Sequence, residues 1–228
     1  MKIQIYAEDT HCEAFAVLAE KAVRQAVPDA SPVVSAVRRG AREMRREMSA
    51  LVRGAHLDGF SRVIFVLDRE SEWSRERPAL IFDTCQAFKE LCRELAAHPE
   101  LGGVKVALVI ANRCLESWLL ADVDGLIRYA RGKRGLHRFT GSSFRSGRTE
   151  DVDRPVWRIN TLFAEIAKDT RSRPKRCEKS KLKAMAHSVD PEHGRGNNRS
   201  FAYFLDIVTD QEDGCDNEYQ REQCSQAG

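Results

Sequence analysis

The chain has 228 residues and a mass of 25.8 kDa, enough for one domain with a sizeable core or a core domain with a smaller appendage, and too little for several full domains. With 42% hydrophobic and 31% charged residues it has the composition of a soluble globular protein, which excludes collagen-like, mucin-like and wholly disordered classes. The formal net charge of +3 is the sum of strongly opposed segments.

In chain order, Ile3 to Ala7 reads as a strand, and apolar residues from Cys12 onward recur at helical spacing through about Ala26, closed by Pro28. Val33 to Val37 is a second strand. After Gly40, residues Ala41 to Val52 form a charged amphipathic helix with Met44, Met48 and Leu51 on one side. Arg62 to Leu67 is a third strand, uniformly apolar after its first residue as a strand buried on both faces should be. Pro78 to Ala97 is a long helix, Val104 to Ile110 a fourth strand, and Leu115 to Tyr129 a fourth helix, within which Trp118 is expected in the core. Beyond Tyr129 the pattern weakens into Gly-, Ser- and Arg-rich sequence, followed by expected helices at Val156–Lys168, Lys179–His187 and Ser200–Val208. Strand and helix alternate four times within 130 residues, so the fold class is α/β: a mostly parallel sheet with helices on both faces, extended by a basic, helical C-terminal part.

The longest apolar stretches, Val104–Ala111 and Val63–Leu67, are far shorter than the roughly 18 residues of a membrane helix, so no span is expected. Met1 to Tyr6 runs straight into a strand pattern with no cleavable apolar leader, which predicts a cytoplasmic location. Seven cysteines without close pairs predict reduced thiols rather than a disulfide framework. A zinc set of Cys177, His187, His193 and Cys215 can be drawn, but its spacing fits no common zinc pattern, and these residues read as structural.

Charge divides the chain. Residues 1–127 hold 17 basic and 19 acidic side chains, whereas residues 128–183 hold 17 basic against 6 acidic, a net charge of +11. That basic stretch, with Phe139, Phe144 and Trp157 interleaved, suits phosphate contacts plus base stacking and marks a candidate nucleic-acid surface, its plain alternative being a solvated face. The candidate contacts are Arg171, Arg173, Lys175, Arg176, Lys179, Lys181, Lys183 and Arg199. Residues 210–228, with six acids and one Arg, read as a disordered tail, giving an expected division into a core at 1–127, a basic part at 128–209 and the tail.

Acids stand at three strand ends: Glu8 and Asp9 after the first, Asp68 and Glu70 after the third, and Glu116 just past the fourth, with Glu13 in the first turn of the first helix. In a parallel α/β sheet ligands bind beyond the carboxyl ends of the strands, and crowded carboxylates call for a cation. Oxygen donors without neighbouring His or Cys point to Mg²⁺ or Mn²⁺. Taken singly, each acid also has a plain reading as a helix cap or a surface group.

These residues resemble the Toprim fold, and more closely the Toprim-type nucleases of the OLD and RloB-like kind from bacterial defence loci. Toprim domains carry a Glu after the first strand and Asp-x-Asp after the third, matched here by Glu8 and by Asp68 with Glu70. The stretch Glu8-Asp9-Thr10-His11-Cys12-Glu13 is similar to the Glu-Gly-x-x-Glu motif, with the Gly missing and the second Glu one position later. Asn112-Arg113-Cys114-Leu115-Glu116-Ser117-Trp118-Leu119-Leu120 is similar to the Asn-x-Cys-x-Glu-x-Trp-Leu-Leu motif of RloB-like proteins, and Asn198-Arg199-Ser200-Phe201 is similar to a helix near their end. The resemblance implies a Mg²⁺- or Mn²⁺-dependent endonuclease acting on DNA or RNA, with Glu8, Glu13, Asp68, Glu70 and Glu116 as metal ligands and Lys181 at the scissile phosphate. It also implies an ABC-type ATPase partner. The alternatives are a catalytically silent adaptor of the same shape, and a receiver-like signalling domain, which needs a Lys at the end of a late strand.

Overall fold

The computed structural model describes residues 1–8, 12–69, 77–98, 101, 103–112, 114–132, 141–145 and 147–209. Four parallel strands, β1 (Lys2–Ala7), β2 (Val33–Arg38), β3 (Arg62–Asp68) and β4 (Lys105–Ala111), form one sheet in the order β2-β1-β3-β4. The register aligns Ala7 with Val66 and Asp68 with Ala111, so the carboxyl ends of β1, β3 and β4 share one rim. β3 lies between two partners and is buried along its whole length up to Asp68, as its apolar run requires. β2, at the sheet edge, is only partly covered.

The pleat sends alternate side chains to two cores. Val63, Phe65 and Leu67 face α2 (Ala41–Leu57) and α3 (Arg77–Ala97), joining Met44, Met48, Cys85 and Phe88. Ile64 and Val66, with Ile3, Ile5 and Val109, face the other way. There they meet α1 (Glu13–Ala26), α4 (Leu115–Leu120), α5 (Val123–Arg131), α6 (Pro155–Thr170), α7 (Leu182–Ser188) and α9 (Arg199–Val208). A short helix, α8 (Pro191–Arg195), precedes α9. The second core is continuous from Ile3 to Val208, so the helices beyond residue 127 and the sheet share one interior. Trp118, fully buried, packs on Phe15, Phe201 and Phe204 at centroid distances of 5.4, 5.3 and 5.0 Å. No helix among the described residues is long and apolar enough to cross a membrane.

Two expectations need correction. The helix expected over Leu115–Tyr129 is broken at Ala121–Asp122, because the Asp122 carboxylate turns back to accept from Gly125 N–H at 3.0 Å and caps a new helix. Asp122, only 2% exposed, also accepts from the Asp190 N–H at 2.7 Å and from Arg128 at 3.2 Å, tying α5 to the junction between α7 and α8. Cys12, Cys114 and Cys177 are not in disulfides, as expected, whereas Cys85 and Cys92, two helical turns apart on α3, are each disulfide-bonded but not to one another, and Cys215 and Cys224 lie outside the described residues.

Candidate functional site

β1 and β3 are neighbours, but α1, which follows β1, packs on one face of the sheet and α3, which follows β3, on the other, the switch point at which parallel α/β sheets form a binding crevice at the rim. Backbone bonding continues past the strand ends and fixes what lies there. The Glu8 N–H donates to Val66 O at 3.1 Å, and the Arg69 N–H donates to Ala111 O at 2.9 Å. Glu8 and Asp68, both half-buried, therefore stand at adjacent strand ends on either side of this crevice.

The β4–α4 turn brings the third acid. Asn112 N–H donates at 2.9 Å to the Ser200 hydroxyl, and the Ser117 hydroxyl shares its one proton within the turn between Cys114 O at 2.6 Å and Asn112 O at 2.8 Å. Glu116 is buried in the first turn of α4. The Cys114 thiol is held far above its ordinary pKa, first by burial, then by the negative charges of Glu116 and Asp68 and by a hydrogen bond to the Glu116 carboxylate. One thiol thus feels the charge of both Asp68 from β3 and Glu116 from α4. Burial and the Glu116 charge also push Cys177 up to about 12. Its N–H is anchored by Asn160 Oδ1 of α6 at 2.8 Å. The basic 171–183 segment is therefore tied to α6 at Cys177.

Of the remaining expected ligands, Glu13 has a side chain 66% exposed and pairs with Lys183 Nζ at 2.8 Å, while Glu70, like Asp9 and His11, lies outside the described residues. Among the described residues no group of three or more His, Cys, Asp or Glu side chains is arranged to hold a metal. The acids at this rim, Glu8, Asp68 and Glu116, offer hard oxygen donors, a donor chemistry that suits Mg²⁺ or Mn²⁺ better than zinc. The zinc set does not form a unit: the Cys177 N–H is held by Asn160 of α6, whereas His193 Nδ1 lies 3.9 Å from Asp122 and from Asp190, and Cys215 is outside the described residues.

The expected nucleic-acid contacts divide. Lys183 is engaged by Glu13, and Lys175 lies 4.1 Å over the Tyr129 ring and donates to Tyr129 O. Arg171, Arg173, Arg176, Lys179 and Lys181 are exposed around Cys177. Arg199 is exposed at the start of α9, where Ser200 ties that helix to the β4–α4 turn. Lys105, by contrast, opens β4 opposite Arg62 at the far rim, so the late-strand Lys that a receiver domain needs is not supplied there.

Sequence reasoning missed Ser200 as the clasp between its two motif-like segments. Its hydroxyl accepts from Asn112 N–H and from Trp118 Nε1 at 2.8 Å and donates to Asn198 Oδ1 at 2.7 Å. Asn198 caps α9 through Phe201 N–H at 2.9 Å, a signal that Asn followed by an apolar helical pattern does carry. No family model, no curated protein and no solved structure matches the chain.

Proposed function

We propose that the chain is a divalent-metal-dependent nuclease that hydrolyses phosphodiester bonds of DNA or RNA. The reading rests on one observation above others: Glu8 and Asp68 stand at adjacent strand ends on the carboxyl rim of the sheet, and the charges of Asp68 and of Glu116, 48 residues apart in the sequence, both reach the Cys114 thiol there. Asp68 and Glu116 are the residues that would hold Mg²⁺ or Mn²⁺, with Glu8 or Glu70 as further donors. When bound, such an ion supplies charge neutralisation at the scissile phosphate and a hydroxide at neutral pH. The Cys114 thiol, by donating to Glu116, fixes the carboxylate's orientation, and Arg199 and Lys181 supply cations for the phosphate chain. The resemblance to defence nucleases extends the proposal to an anti-phage effector licensed by an ATPase partner.

Cleavage of plasmid DNA and of tRNA with Mn²⁺, compared among wild type, Asp68→Ala and Glu116→Gln, tests it. Loss of cutting in both variants supports the assignment. Equal activity in all three, or no cleavage by wild type with any metal and any candidate ATPase, overturns it and leaves the silent adaptor as the better reading.

A further inference from the structure

Among the aromatic residues of the basic segment, the structure separates Phe144 from Trp157. Phe144 is buried beneath the Arg158 guanidinium, 4.4 Å from its ring centroid. Trp157, in the first turn of α6, is 62% exposed, the most exposed aromatic ring among the described residues. A large ring held out in water on a helix presents a flat apolar face on which a partner can stack.

Its surroundings say what kind of partner fits. Arg154 occupies the N-cap position three residues earlier, and at helical spacing Lys168 continues the same face roughly 16 Å further along the axis, with Arg171 just beyond the helix end. Glu165 on this helix is engaged by Lys168 at 2.6 Å. One turn from Trp157, Asn160 Oδ1 accepts from the Cys177 N–H at 2.8 Å. The helix that carries the exposed ring is thereby tied to the basic 171–183 segment.

We propose that Trp157 is the stacking platform for an unpaired base of a single-stranded nucleic acid, whose phosphates follow the cations of α6 and of the 171–181 segment toward Glu116. The proposal rests on the nuclease reading for the strand's destination and deepens it by naming the substrate class. A ring at this position can accept a splayed base, whereas bases within a duplex are already stacked on one another.

The test is fluorescence anisotropy in EDTA, where nothing is cut, with labelled deoxythymidine and uridine oligonucleotides of about 20 nucleotides, longer than a typical single-strand site, and with a duplex of equal length. Trp157→Ala is expected to weaken single-strand binding at least about fivefold, Trp157→Phe to restore most of it, and duplex binding to change in neither. Equal single-strand affinity of Trp157→Ala and wild type overturns the proposal, as does a parallel loss on duplex or no single-strand binding by wild type. So does a change of oligomeric mass in Trp157→Ala with oligonucleotide binding intact, which would assign the ring to a protein interface. If Trp157 governs binding while wild type cleaves nothing with any metal, the nuclease reading fails alone. If cleavage depends on Asp68 but binding ignores Trp157, the stacking platform fails alone.

Discussion

Ser200→Ala isolates one oxygen atom. A hydroxyl has one proton and two lone pairs, and in Ser200 all three are used, on Asn198 Oδ1, Asn112 N–H and Trp118 Nε1–H. Ser200 and Trp118 are fully buried and Asn112 is half-buried. Replacing the hydroxyl by hydrogen leaves the indole N–H without an acceptor in a site that water does not reach, and strands the Asn112 N–H in part, while Asn198 Oδ1 keeps Phe201 N–H. At about 1–3 kcal/mol for each orphaned buried donor, with the half-buried one discounted, the expected loss is about 2–4 kcal/mol. That is a large share of the 5–15 kcal/mol typical of a folded domain, and for a chain of this length it lowers Tm by roughly 5–15 °C. Urea denaturation followed by circular dichroism measures it. Thr161→Ala is the control, because that hydroxyl donates at 3.0 Å to Trp157 O within its own exposed helix turn and orphans nothing buried, so its cost stays within about 0.5 kcal/mol. A Ser200→Ala loss no larger than that of Thr161→Ala refutes the reasoning.

Gly125→Ala puts a Cβ 2.5 Å from Asp122 Oδ2 and 2.6 Å from Ser188 O, so the helix-propensity gain of about 1 kcal/mol is outweighed by overpacking of about 1–3 kcal/mol and a displaced Asp122, and denaturation reads a net loss. Gly54→Ala on α2 meets nothing within 4 Å and is expected to stabilise by about 0.4–1 kcal/mol in the same assay. Cys177, pushed up to about 12, holds only about one part in ten thousand as thiolate at pH 8, so peptide mapping after brief iodoacetamide treatment of native protein should find it unmodified, and labelling at a free-thiol rate contradicts its burial beside Glu116. Asp190 is affected first by burial, which raises its pKa, but Gln25, the Glu192 N–H, His193 and Lys21 outweigh this and hold it below its ordinary value. The unfolded chain then binds the proton more readily, so this stability is present above about pH 4 and lost as pH falls through the depressed value. Asp190→Asn should flatten the acid limb of a stability-against-pH curve, and an unchanged limb counts against that linkage.

The sheet was legible because parallel strands buried on both faces leave uninterrupted apolar runs, as in Val63–Leu67, and because acids at strand ends stand out against them. The rim positions of Glu8 and Asp68 follow from that pattern alone. What joins them to the rest of the site leaves little trace in sequence. The Asn112–Ser200 and Trp118–Ser200 hydrogen bonds link residues 88 and 82 positions apart, and neither partner's type or spacing announces the other. The break after α4 was hidden for a related reason: Leu115–Tyr129 keeps an apolar helical period across it, and only the buried Asp122 carboxylate, satisfied by groups from α5 and from Asp190, makes ending one helix and starting another favourable.

The same distinction bears on the candidate chemistry. Composition made the basic segment conspicuous, but composition weighs every cation alike, whereas packing divides them. Lys175 and Lys183 are consumed in fastening the segment, and the buried Cys177, an apparently incidental residue, ties it to α6 through Asn160. The cations Arg173, Arg176, Lys179 and Lys181 are left outward around that anchor. If polyanion binding is what this segment is for, substituting the outward set should weaken it most, while substituting Lys175 should act through the placement of the segment.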